Sequence, residues 1–444
     1  MSHALLQAWE KVLRRHGHRR AVVEAASGCA VTFRELDAAA AAWRAAQVPD
    51  PAQLAGRAVV FAVPNGIAWL NIFLGLLKAG AVAVPLDPGE PVAAQQRVAG
   101  SLRAGAWWDG RALVPLAAAR RYRDPETCLI KVTSGSTGRP RALVFAAAQM
   151  LADGRQVTAT MGITARDRNY ALIPLGHSYG LGNLTIPLLA QGVPLVCGTA
   201  ALPQAIAEDF ARWRPTVFPG VPAMWRALAA SEVWLPHLRL AISAGAPLAP
   251  EVARDFAARF GRSLHSFYGS SETGGIAYDR TGRATLAGRV GTAMRGVELT
   301  ALSGQRLRVS SAAVTTRGGA RRPDGPGAWI MPDRVELGPR GEVTLLGRRG
   351  TTVKVAGRRV NLAEVAERLR RLPGVREAWV GLAGGPDAVL AAVVATEQTP
   401  ADLRATLLPL AAAWTIPKKL VTVAALPVTA RGKTDVRALQ ALIS

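Results

Sequence analysis

Three features of the chain predict an α/β fold with largely parallel sheets. Short apolar runs recur at 59–63, 81–84, 129–132, 170–173, 195–197, 217–218, 240–243 and 264–267. Helical windows separate most of these runs, and strands that alternate with helices build parallel sheets. The texture then changes. From about 286 to 347 the chain is punctuated by glycine and carries short alternating runs such as VELT at 297–300 and VTLL at 343–346. That is the pattern of a small antiparallel sheet or barrel. A last segment, entered near 347–350, has its own strand and helix signals and reads as a separate small α+β domain.

The elements follow from local chemistry. Ser2 is positioned to cap a helix whose apolar face is Leu5, Leu6, Trp9, Val12 and Leu13, with Gly17 beyond its end. Thr32 and Glu35 have the spacing of a capping box that opens a second helix reaching Trp43. The most hydrophobic window, 66–86, is interrupted by Gly66, Asn71, Gly75, Lys78 and Gly80 and closed by Pro85. It suits a buried helix and a buried strand better than a membrane span. The first twenty residues place their charges after the apolar ones and lack a small-residue cleavage site, so they do not read as a signal peptide.

Composition narrows the function classes. With 444 residues, half of them hydrophobic, the chain can bury a large core in two or three domains and is expected to be soluble and globular. Cys29, Cys128 and Cys197 are far apart and form no CxxC pair, which argues against a disulfide framework and a structural zinc site. A reducing cytoplasm is the expected location. The net charge is +23, from 54 Lys plus Arg against 31 Asp plus Glu. Such a field favours anionic partners, such as a phosphate-bearing cofactor or an acidic carrier protein, unless it is simply an arginine-rich solvated surface. Modest basic clusters stand at Arg14, Arg15, Arg19 and Arg20 and at Arg306, Arg308, Arg317, Arg321 and Arg322. No aromatic-interleaved stripe accompanies them, so nucleic acid is not expected as the primary partner.

The segment TSGSTGRPR at 133–141 carries the most chemistry. It follows the strand-like run LIKV, and it packs two glycines and four hydroxyls ahead of an arginine. Thr133, Ser134, Gly135, Ser136, Thr137 and Gly138 offer small donors and a permissive backbone, and Arg141 adds a fixed positive charge, together the makings of a phosphate cradle. The spacing is neither GxxxxGK[ST] nor GxGxxG, so a nucleotide site of another kind is indicated. A polar turn is the alternative reading of the same residues.

Further segments fall into an order that resembles the ANL family of adenylate-forming enzymes, which comprises acyl-CoA synthetases, peptide-synthetase adenylation domains and firefly-type luciferases. They are PLGHSYG at 174–180, SAGAPL at 243–248, FYGSSETG at 267–274, Asp333 ahead of GRR at 347–349, KVAGRRVNLAEV at 354–365 and PVTARGK at 427–433. The resemblance covers essentially the whole chain. It implies a large N-terminal AMP-binding domain at 1–347, built of stacked, mostly parallel sheets with helices and a small β-barrel-like subdomain. It also implies a small mobile α+β domain at 348–444, with a hinge near Gly350.

The activity implied is an ATP-dependent carboxylic acid–thiol ligase: a carboxylate attacks the α-phosphorus, pyrophosphate leaves, and the acyl-adenylate is passed to a thiol. In that scheme 133–141 holds the pyrophosphate side and Glu272 binds Mg²⁺, a hard ion suited to carboxylate and phosphate oxygens. Tyr268, Ser271 and the thin strip Ala244, Gly245 and Ala246 line the nucleotide slot. Asp333 and Arg348 take the ribose hydroxyls. Lys433 bridges substrate carboxylate and phosphate, and His177 stands at the mouth of the acyl pocket. The acyl pocket is expected around 177–181, 218–224 and 243–246.

Two departures from the family pattern are visible. Met331 and Pro332 replace the usual Thr-Gly before the ribose acid, and Gly350 replaces an Asp or Lys two residues after the ribose-binding arginine. Coenzyme A is the leading acceptor, with the phosphopantetheine of an acidic acyl or peptidyl carrier protein as the alternative. An oxygenase on the same scaffold is a further possibility. A non-catalytic descendant would be expected to lack Glu272 or Lys433, and both are present.

Glycine absorbs large backbone changes, so the second domain would swing about Gly350 and present first Lys433 and then the face from Lys354 to Gly357. Gly350→Pro is therefore expected to reduce thioester formation more than ATP–pyrophosphate exchange, assayed side by side on one preparation. Equal loss of both would count against the hinge.

Overall fold

The computed structural model describes residues 3–117, 119–133, 141–315, 317–318, 324–325, 327–348, 352–385, 387–427 and 435–444. Apolar runs flanked by helices assemble into two large sheets. The nine-stranded sheet runs in the order Thr292–Ala293, Gly274–Tyr278, Leu264–Ser270, Leu240–Ser243, Val217–Gly220, Asn169–Ala171, Leu195–Cys197, Arg20–Glu24 and Ala30–Thr32. Its inner strands, from Leu264–Ser270 to Arg20–Glu24, are parallel, and antiparallel strands close both edges. The seven-stranded sheet runs Arg317–Gly318, Arg141–Ala146, Thr127–Thr133, Val82–Pro85, Ala58–Phe61, Ala106–Trp108 and Leu113–Pro115. Its centre is likewise parallel.

A shared apolar core lies between these sheets, with Trp9, Phe33, Phe61, Trp69 and Phe73 buried in it. The hydrophobic window at 66–86 is the helix Ile67–Lys78 followed by the buried strand Val82–Pro85. Gly75 serves packing there, since a Cβ would come within 2.4 Å of the Trp43 ring on helix Phe33–Gln47. Among the described residues no helix is long and apolar enough to cross a membrane.

The expected small antiparallel sheet or barrel takes the form of four antiparallel strands, Val297–Leu302, Arg306–Ser311, Ala328–Leu337 and Val343–Arg348. The last segment begins with the hairpin Thr352–Val355 and Arg358–Asn361 and the helix Leu362–Arg370. A three-stranded sheet follows, Glu377–Ala383, Val389–Ala395 and Lys419–Val423, covered by helices Pro400–Leu407 and Val436–Ile443. This segment has its own core around Val360, Leu369, Leu390, Val394 and Leu403.

Local expectations hold with identifiable exceptions. Glu35 N–H donates to Thr32 Oγ1 at 3.2 Å and Thr32 N–H to Glu35 Oε2 at 2.7 Å, completing the capping box. The first helix, Ala4–His16, is capped by His3 with no side-chain bond, whereas the expected cap Ser2 lies outside the described residues. The run at 170–173 leaves its sheet early, as strand Asn169–Ala171. Asn65 accounts for this, since its Nδ2 donates to the carbonyls of Ala171 at 3.3 Å and Ile173 at 2.9 Å and so takes over their pairing. All three cysteines are free thiols. Burial pushes those of Cys128 and Cys197 up to about 12, which leaves them small hydrophobes rather than nucleophiles.

On the outer face of the nine-stranded sheet, Phe218 packs with ring centroids 5.0 Å from Tyr170, 5.9 Å from Phe210 and 4.6 Å from Trp225. It is fully buried. Phe218→Ala is expected to destabilise the fold by about 3–5 kcal/mol through the cavity it leaves, read as a lower urea midpoint with an unchanged slope.

Candidate active site

The carboxyl ends of the parallel strands converge on one cleft, the usual location for ligands in open α/β sheets. The cleft encloses about 630 Å³, and Thr133, His177, Ala244, Gly245, Ser271, Lys354 and Gly357 all line it. Thr133 ends the strand Thr127–Thr133. Ser134, Gly135, Ser136, Thr137, Gly138, Gly350 and Lys433 lie outside the described residues.

Glu272 is the buried acid of this cleft. It sits in a tight turn after strand Leu264–Ser270, where Ser270 Oγ accepts from the N–H groups of Glu272 and Thr273, each at 3.2 Å. Arg141 Nη1 lies 3.8 Å from its Oε1 and Arg359 Nη1 lies 3.6 Å from its Oε2. Burial works against the charge, but Arg359, the local backbone and Arg141 outweigh it and hold the carboxyl below the usual carboxylate range. Among the described residues Oε2 has no hydrogen-bond donor, although it is removed from solvent. Such an atom is suited to a further cation.

The nucleotide-side residues also meet. Tyr268 donates its hydroxyl proton to Asp333 Oδ2 at 2.7 Å, so the aromatic wall and the expected ribose acid form one unit. Asp333 is paired in register with the backbone of Arg348 on the adjacent strand. Pro332 is accommodated by an irregularity. Arg306 pairs with Arg334 and Arg308 with Ile330, so three residues around the proline face one on the partner strand, and its missing N–H breaks no ladder. Gly245 has φ +94°, and a Cβ on it would come within 3.2 Å of Gly357 Cα. The strip Ala244 to Ala246 is thus crossed backbone on backbone by the C-terminal hairpin.

That hairpin enters the cleft bearing arginines. Arg358 Nη2 is 2.9 Å from Asp87 Oδ2, and the same oxygen is 3.5 Å from His177 Nε2. Removal from water lowers the His177 pKa, with Asp87 opposing the shift and Arg358 reinforcing it. A further pair joins Arg226 to Asp387 of the C-terminal segment. Sequence reading missed Asp87, Arg358 and Arg359 as site residues. The two arginines stand in the quoted GRRV segment directly after Gly357, and their charge was a usable signal; Asp87 carried none, because its partners come from distant segments. Residues 177–179 line the cleft, as do Lys131, Asp153, Gly274 and Gly275. Within 218–224, Phe218 packs on the other side of the sheet, whereas Val221 stands beside Gly245 and Gly357.

The model of the AMP-binding enzyme family matches residues 9–106 and 106–310. The chain belongs to that family. It is an adenylate-forming enzyme of the acyl-CoA synthetase kind within the ANL superfamily. A feruloyl-CoA synthase of an Amycolatopsis species is 27% identical, over 91% of this chain and 92% of its own length. A probable 2-succinylbenzoate–CoA ligase of Mycobacterium tuberculosis is 30% identical, over 71% of this chain and 84% of its own length. Among solved structures, the amide bond synthetase from Marinactinospora thermotolerans superposes with a TM-score of 0.86 at 22% identity, covering 98% of this enzyme and 99% of that chain. That likeness confirms the α/β architecture of stacked sheets.

Arg358→Ala removes the partner of a buried carboxylate on the hairpin side of the cleft. It is expected to cost on the order of 1–2 kcal/mol, roughly tenfold, in the step that needs the hairpin docked. Thioester formation should fall while ATP–pyrophosphate exchange is retained, with both measured at saturating ATP.

Proposed function

We propose that this enzyme activates a carboxylic acid with ATP, releasing pyrophosphate, and passes the acyl group from the acyl-adenylate to the thiol of coenzyme A. The observation that carries the reading is Glu272, a carboxylate buried between Arg141 and Arg359 and held below its usual pKa, with one oxygen that has no donor among the described residues. In phosphoryl and adenylyl transfer the protein mainly positions anions and neutralises the charge that develops on them. Arg141 would face the pyrophosphate side. Tyr268 and Asp333, already hydrogen-bonded, would hold adenine and ribose against the strip Ala244 to Ala246, with Ser271 and Arg348 alongside.

Glu272 would hold Mg²⁺, which neutralises phosphate charge when bound. Among the described residues no cluster of three acidic, histidine or cysteine side chains could hold a metal alone, so substrate phosphate would complete the shell. Lys433 would supply the ammonium that bridges carboxylate and phosphate. His177 would gate the acyl side, and Lys354 with Gly357 would guide the incoming thiol. CoA leads as acceptor because the feruloyl-CoA and succinylbenzoate–CoA relatives use it by name. A carrier-protein phosphopantetheine is the second reading, favoured by the net charge of +23, which would attract an acidic helical partner. A cytoplasmic setting goes with either acceptor.

Acid-dependent pyrophosphate release, run over a panel of carboxylic acids with CoA and then with a phosphopantetheinylated carrier protein, tests the reading and separates the acceptors. Glu272→Gln and Lys433→Ala are each expected to lower kcat/KM for that release by about 10²-fold or more. Unchanged rates in both variants would overturn the assignment.

A further inference from the structure

Lys131 is a buried lysine of unusual placement. It lies in the apolar strand Thr127–Thr133 with only 4% of its surface exposed, and it lines the cleft. Its Nζ sits 4.2 Å from the centre of the Phe145 ring. Burial lowers its pKa, with Asp153 and then Glu272 opposing the shift, and it forms no ion pair within 4 Å among the described residues. Asp153 is equally removed from water, at 3% exposure, on helix Ala147–Met161. Its Oδ1 accepts from Gly275 N–H at 3.0 Å, and it fills space that side chains would otherwise take: a Cβ on Gly274 would come within 2.3 Å of Oδ1, and one on Gly182 within 2.7 Å of Oδ2. Glycines at both places make room for a carboxylate that no arginine or lysine touches.

A buried ammonium and a buried carboxylate that line one cavity without touching each other are costly unless something else joins them. Burial drives the Lys131 pKa down and the Asp153 pKa up, each group opposing the other's shift, and the wall they form offers both a donor and an acceptor. A hydroxyl group satisfies both at once, accepting from Lys131 and donating to Asp153. An apolar end would leave both polar groups without a partner. Tyr179 and Phe267 line the same cavity, packed against each other with centroids 5.7 Å apart and tilted at 45°, and give it an aromatic wall beside the polar one.

We propose that the acyl pocket selects a hydroxylated aryl carboxylic acid, whose ring hydroxyl, remote from the reacting carboxylate, bridges Lys131 and Asp153. This rests on the ligase reading of the same cleft and specifies its substrate class. Lys131 and Asp153 are then specificity residues, and the preference they impose is set by unmatched hydrogen-bonding groups rather than by pocket size.

The test compares para-hydroxybenzoate with benzoate and para-hydroxycinnamate with cinnamate, using wild type and the near-isosteric Lys131→Met, in pyrophosphate release and, without ATP, in calorimetric binding. In at least one pair the wild type should favour the hydroxy acid by about 10²-fold or more, as sites built to bond a substrate hydroxyl do. Lys131→Met should collapse that ratio toward one. A wild-type ratio under about tenfold in both pairs overturns the inference. So does a preference for the para-carboxy analogue, or an equal loss on both members of a pair in Lys131→Met. Should the variant not fold, the wild-type ratios decide. Selective binding of the hydroxy acid without pyrophosphate release would uphold this pocket and remove the ligase reading, whereas release indifferent to the hydroxyl would do the reverse.

Discussion

A carboxylate taken out of water keeps its charge only where cations or donors replace the lost hydration, and the geometry of this cleft follows from how Glu272 meets that condition. Its compensation is assembled from three places: Ser270 and the local backbone fix the turn, Arg141 begins the strand Arg141–Ala146, and Arg359 comes from the C-terminal hairpin. Strand, turn and hairpin therefore share a single charge balance. The second buried acid, Asp87, repeats the arrangement with His177 from one side and Arg358 from the other. Adjacent arginines on one short strand thus bring positive charge to two separate carboxylates of the large N-terminal region.

The docking is steric as well as electrostatic. Gly245 and Gly357 meet with no room for a side chain, so the hairpin turn lies directly against the strip that the nucleotide would use. The Arg226 pair with Asp387 has the opposite polarity, with the cation on the N-terminal side. The excess of basic residues is in part consumed by such contacts, which makes the net charge a poor guide to the partner taken alone.

Much of this architecture was legible in the residues. Strand positions at 195–197 and 240–243 and the Thr32–Glu35 cap could be read because period, flanking turns and capping chemistry are local properties. Glu272, Tyr268 and Asp333 could be singled out because they stand in short, chemically distinctive segments. Asp87 was not, since an aspartate in a loop acquires a meaning only from partners that fold onto it. Lys131 was in plain view, a charge inside LIKV, yet periodicity alone absorbed it into a strand; the question of what a lysine does in an apolar strand needed the neighbours to be known. Phe218 hid its side for a related reason: strand Val217–Gly220 alternates its faces, and only packing reveals that Phe218 points away from the cleft.

The hairpin arginines can be regarded as tethered counterions. Any displacement that lifts the hairpin strips Asp87 and Glu272 of a positive neighbour together, leaving the emptied space strongly electronegative. Whatever positively charged species then settles there, a divalent ion with its nucleotide or simply salt, competes with the protein's own tether. By linkage, occupancy and posture must bias each other to the same degree. Ionic strength thereby becomes a control on shape, with concentrated electrolyte loosening what the two guanidinium groups hold shut.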